Sequence, residues 1–116
     1  MSLAEIKFSI ELDKQNIPDK IFWEATNNPN EGLEQTKAIS IAVWDTFNKG
    51  VLTTRLWTKD MEVFDMKRFA IENIGSMAEM LLNATGDQKM AEEIDNLCKK
   101  LTQHVQEEIK KQNSQS

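Results

Sequence analysis

With 116 residues, a formal net charge of −5 and a pI of about 4.9, the chain has room for one compact domain. It lacks the clustered positive charge that a nucleic-acid partner requires. Its lone histidine, His104, and lone cysteine, Cys98, fall in a helical stretch, roughly 240° apart round the axis, so they cannot share a metal site or a Cys-His nucleophile within that helix.

The first half of the chain alternates with period two. Ile6, Phe8, Ile10 and Leu12 point one way, with Lys7, Ser9 and Glu11 between them, the pattern of a half-buried strand. Asp13 to Pro18 carries turn chemistry. Ile21, Phe22, Trp23 and Ala25 read as a second strand, and Asn27 to Gly32 as a polar loop. Ala38 to Asp45 predicts a third strand, with Ile39, Ile41 and Val43 on one side. Phe47-Asn48-Lys49-Gly50 predicts a tight hairpin turn with Gly50 free to take positive φ, and Val51 to Thr58 a fourth strand.

From about Met61 to Thr85 the spacing changes to three and four: Val63, Met66, Ala70, Ile74, Met77 and Leu81. Phe64, Phe69, Ile71, Met80 and Leu82 widen this stripe, so the predicted helix is covered from two directions. Gly86 suits a left-handed C-cap and Asp87 an N-cap for the next helix. Met90, Ile94, Leu97, Leu101 and Val105 make the narrower stripe of that second helix. Glu108 lands inside the stripe, so packing is expected to end near Val105. The resulting expectation is an α+β fold: a four-stranded antiparallel sheet followed by two C-terminal helices packed on one face. Residues 1–105 form a single domain, and 106–116 a fraying helix end and solvated tail.

No constellation of residues points to catalysis, a cofactor or a bound metal, and the chain is expected not to be an enzyme. Cys98 reads as a small core residue, and His104 as a boundary residue. The aromatic content of one sheet face is the exception. If Ile39, Ile41, Val43, Leu52 and Leu56 face the helices, the other face carries Phe22, Trp44, Arg55 and Trp57 over the small residues Ala38, Ser40, Ala42 and Thr53. Exposed aromatics of this kind mark a partner surface, with Phe22, Trp44, Arg55 and Trp57 its candidate residues; the alternative is that Trp44 and Trp57 wrap round the sheet edge and close the core. A homodimer through that face, or a protein partner occupying it, is expected. The lone cysteine, the absence of a signal-peptide pattern and the absence of a membrane-length apolar run lead to the expectation of a cytoplasmic protein without membrane insertion.

The run Leu56-Trp57-Thr58-Lys59-Asp60-Met61, followed by Met66-Lys67 and Phe69, resembles the gliding-motility protein C (GldC) family of Bacteroidetes. Glu5-Ile6-Lys7-Phe8, Glu11-Leu12-Asp13, Pro18, Lys20-Ile21, Trp23, Lys37-Ala38, Trp44-Asp45, Ala84-Thr85 and Met90-Ala91 fit the same pattern. The resemblance spans roughly residues 4–105. It implies a small non-enzymatic accessory protein of gliding motility, with no catalytic residues to carry over and an unidentified protein partner in the motility or export machinery. The competing reading is a small holdase for unfolded or export-destined clients. Its four strands followed by two helices are similar in architecture to the export chaperone SecB, an analogy of fold alone.

Overall fold

The alternation of apolar and polar residues in the first half, and the helical spacing in the second, divide the chain into strands and then helices. A computed structural model describes residues 2–28 and 32–114. The order is β1 (Ile6–Leu12), β2 (Pro18–Ala25), β3 (Glu34–Thr36), β4 (Ala38–Asp45), β5 (Gly50–Trp57), α1 (Val63–Thr85) and α2 (Gln88–Ser114). The fold is therefore α+β with two C-terminal helices. The chain divides into two compact units, Met1–Met61 and Glu62–Ser116.

The expected single four-stranded sheet is not formed. The strands make a three-stranded antiparallel sheet, β1-β2-β3, and a separate two-stranded one, β4-β5. In the first, Ile6 lies opposite Ala25, Phe8 opposite Trp23 and Ile10 opposite Ile21, so the alternation of β1 is matched across the ladder. Ile21 is fully buried at its centre. The second neighbour of β2 is not Ala38–Asp45 but Glu34–Thr36, with Thr36 opposite Ile21. Lys37 is where the two sheets part. The chain bends there, and the Lys37 carbonyl accepts the Thr58 N–H at 2.9 Å, which binds it to the strand-end of β5 rather than to β2. β3 escapes a reading by periodicity because Glu-Gln-Thr is short and wholly polar; backbone pairing alone makes it a strand.

The turns follow side-chain chemistry. Asp13 Oδ1 accepts the N–H groups of Gln15 at 2.8 Å and Ile17 at 3.0 Å, and Asn16 takes φ 62°. In the β4–β5 turn Asp45 Oδ1 accepts the N–H groups of Phe47 at 3.1 Å and Asn48 at 3.2 Å. The residue with positive φ is Lys49, at 54°, not Gly50 as the sequence suggests. Gly50 instead opens β5, opposite Asp45. Of the expected loop Asn27 to Gly32, residues 29–31 lie outside the described residues, as do the last two residues of the expected tail.

The helical unit is a hairpin. Gly86 takes φ 73° and its N–H reaches the Leu82 carbonyl at 2.9 Å, the left-handed cap that a glycine permits. Asp87 then caps α2 by accepting the Met90 N–H at 3.0 Å. The contact line between the helices is built from small residues. Ala78 and Ala91 are its buried members, and the Cys98 thiol sits against Gly75, donating to the Ile71 carbonyl at 3.6 Å. α2 does not stop packing at Val105. Glu108 is held by Lys67 of α1, whose Nζ lies 2.8 and 3.0 Å from its two carboxylate oxygens and 5.6 Å from the Phe64 ring centroid. A carboxylate in the apolar stripe thus extends the contact, because the facing helix presents its counter-ion. On α1, Met77 is 40% and Met80 61% exposed.

Candidate interaction surface

Pairing in β4–β5 sets which side chains share a face. Ala38 lies opposite Trp57, Ser40 opposite Arg55, Ala42 opposite Thr53 and Trp44 opposite Val51. Residues directly opposite in an antiparallel ladder point the same way, so Trp44, Arg55 and Trp57 stand on one face with Ala38, Ser40, Ala42 and Thr53 as its floor. Phe22 does not belong with them. It lies on β2 in the other sheet, opposite Ser9 and Gln35 and half-buried, because the meander that would have placed it beside β4 is broken at Lys37.

Both indoles are open, Trp44 at 59% and Trp57 at 57% exposure. They are not adjacent: Trp57 is level with Ala38 at one end of the hairpin and Trp44 with Val51 at the other, a separation of about 20 Å along the strands. Arg55 lies between them, its Nη1 donating to Thr53 Oγ1 at 3.1 Å, which fixes the guanidinium over the floor. The reverse face of the hairpin carries Ile39, Ile41, Val43, Leu52, Thr54 and Leu56. Ile39 is buried there, but Val43 and Leu52, paired near the turn, are largely exposed, and Phe47 projects from the turn itself. The apolar character of this outer end is visible in the sequence; its exposure on both faces is not, because alternation assigns one face to a core.

The sequence motif that carries the family resemblance has a different role. Thr58 is buried, donates its hydroxyl to the Asp60 carboxylate and gives its N–H to Lys37. Lys37 also sits 3.6 Å from Asp60, and the two together hold the Asp60 carboxyl below its ordinary range, the Thr58 hydroxyl being the larger influence. Lys59 reaches back to Asp13 Oδ2 at 2.7 Å. That bond, with the turn N–H groups of Ile17 and Gln15, lowers the Asp13 pKa to about 2. Thr58-Lys59-Asp60 is thus a latch tying the end of β5 to the start of β4 and to the β1–β2 turn. Thr58 is buried within it, while Trp57, Lys59 and Asp60 are exposed.

Cys98 lies half-buried in the helix contact and His104 is on the surface, its Nε2 3.5 Å from Glu108 Oε1. Among the described residues no three His, Cys, Asp or Glu side chains gather closely enough to hold a metal ion. No helix formed by the described residues is long and apolar enough to cross a membrane.

Comparison with known proteins agrees with the resemblance carried by the latch. No curated protein and no solved structure matches the chain. A family model, that of the gliding motility-associated protein GldC-like proteins, matches residues 18–107, from the start of β2 to one residue short of Glu108. The match takes in the whole β4–β5 hairpin, the latch and most of both helices, and the chain belongs to the gliding motility-associated protein GldC-like family.

Proposed function

We propose that this chain is a non-enzymatic accessory protein of gliding motility that works by binding another protein through the Trp44, Arg55 and Trp57 face of the β4–β5 hairpin. The observation that carries the reading is the pair of exposed indoles on a floor of small residues. Tryptophan and arginine dominate binding energy where they are desolvated by a partner, and small neighbours let a partner's backbone approach. The reading places this act in the cytoplasm, where a lone thiol such as Cys98 stays reduced. Affinity capture from the native cell tests it. A motility-associated partner retained by the wild-type chain should be lost with Trp44→Ser/Trp57→Ser and kept with Phe22→Ser, on the other sheet. Equal retention by both variants contradicts it.

A holdase is the second reading. It is favoured by the exposure of Val43, Leu52 and Phe47, which makes the outer end of the hairpin apolar on both faces. A holdase suppresses aggregation of unrelated unfolded proteins, whereas an accessory protein with one partner leaves them to aggregate.

A further inference from the structure

Among the described residues β4 pairs with β5 alone, so its outer edge carries no strand. Its inner end is buried, and the Ala38 carbonyl accepts the Thr36 hydroxyl at 3.3 Å, whereas Ala42 to Trp44 are exposed. Natural edge strands are blunted with charges, prolines or bulges. β1 carries Lys7 and Glu11 and a register shift near Leu12, and β5 carries Arg55. From Ala38 to Trp44, β4 reads Ala-Ile-Ser-Ile-Ala-Val-Trp, with no charge, no proline and no irregularity in its ladder to β5.

We propose that the occupant of this edge is β4 of a second copy of the chain, paired antiparallel about a twofold axis at Ile41. The proposal rests on the reading of the β4–β5 hairpin as the working surface and adds what covers its edge. The register is chosen by complementarity. With Ile41 opposite Ile41, Ile39 meets Val43 on the same face, and beyond them Lys37, which also holds Asp60, comes level with Asp45, the carboxylate of the turn, so opposite charges flank the apolar row at both ends. On the other face Ser40 meets Ala42, and Ala38, as small as Ala42, meets Trp44, the largest. Sliding by one step to centre Ala42 sets Ile39 against Asp45 and Ser40 against Trp44. Sliding the other way to centre Ser40 sets Lys37 against Val43. Each alternative faces a charge with an aliphatic side chain, and register is held where such patterns disagree.

The same pairing explains the distant indoles. Across the resulting sheet of order β5-β4-β4-β5, one row reads Val51 and Trp44 of the first copy, then Ala38 and Trp57 of the second. Two tryptophans about 20 Å apart within one hairpin become neighbours across Ala38, once at each end of the joint sheet. The partner face of the proposed function is then shared by two copies, with aromatic pairs in place of single indoles.

Cysteine cross-linking reads the register directly. Cys98 is first replaced by serine. In that background Ile41→Cys places two thiols on the axis, with Cα atoms about 4.5–5.5 Å apart, inside the range a disulfide spans. Val43→Cys is one turn of the alternation away, and its two copies stand roughly 13 Å apart. Mild oxidation should convert the Ile41→Cys protein to a covalent dimer and leave Val43→Cys unlinked, while light scattering of the wild-type chain gives twice its 13.3 kDa mass. Circular dichroism should show both cysteine variants folded. A monomeric wild-type chain, or a dimer that Ile41→Cys does not link, overturns the edge pairing. Neither result bears on partner capture by Trp44 and Trp57, so failure of this inference and failure of the proposed function are told apart.

Discussion

Asp13 shows how much one carboxylate can organise. One oxygen closes the β1–β2 turn by accepting two backbone N–H groups, and the other binds Lys59 in the latch. All of these favour the charged form, which is why its pKa falls from 3.8 to about 2. A carboxyl whose pKa is lower in the folded chain than in the unfolded one stabilises the fold above pH 3.8, and the contribution is lost as pH falls towards 2. Asp45, Asp60 and Glu108 are shifted in the same direction, by the Asn48 side chain, the Thr58 hydroxyl and the Lys67 ammonium respectively. The chain should therefore lose stability on acidification. Asp13→Asn should be less stable than wild type at neutral pH, and the two should converge near pH 2, as followed by urea denaturation at each pH. Carbon-detected titration of Asp13 giving an unshifted midpoint contradicts the Lys59 bond.

At the scale of elements, the helical hairpin depends on what is missing from its side chains. Ala78 and Ala91 are buried where α1 and α2 cross, and a Cβ at Gly75 would meet the Cys98 sulfur at 3.6 Å, an ordinary contact. Ala91→Leu should overpack the crossing and cost about 1–3 kcal/mol, whereas Gly75→Ala should be tolerated. Gly86→Ala should cost about 1–2 kcal/mol, because a residue with a Cβ is strained at φ 73° even though nothing crowds that position. Thermal melts of these three variants check the ordering; a Gly86→Ala chain melting with wild type contradicts the cap. Both caps and both helices were legible in the sequence, because Gly-Asp after an apolar stripe has few other meanings. The α2 contact beyond Val105 was not, since Glu108 reads as a defect until Lys67 of the neighbouring helix is seen facing it. The four apolar strands were legible from alternation, but β3 and the bend at Lys37 were not: a three-residue polar strand and a carbonyl captured by Thr58 leave no periodic trace.

At the scale of the whole molecule, the family could be read from Trp57 to Met61, yet the structure assigns most of that run to holding the fold together. The exposed indoles were anticipated on one face, and Trp44, Arg55 and Trp57 do share it. Phe22 lies apart from them because the strands form two sheets rather than one. What no pattern in one sequence could reveal is that Val43, Trp44, Val51 and Leu52, near the hairpin turn, are exposed on both faces, since alternation speaks only of two faces. Trp44→Ser/Trp57→Ser should leave the far-ultraviolet circular dichroism unchanged, because both side chains are more than half exposed. Loss of the folded spectrum would return the indoles to the core. Residues 38–57 are the proposed working surface. Amide hydrogen exchange on the complex co-purified from native cells tests it most directly. New protection concentrated in β4 and β5 relative to the free chain is the predicted result, and protection confined to β1 or α2, with residues 38–57 unchanged, would contradict it.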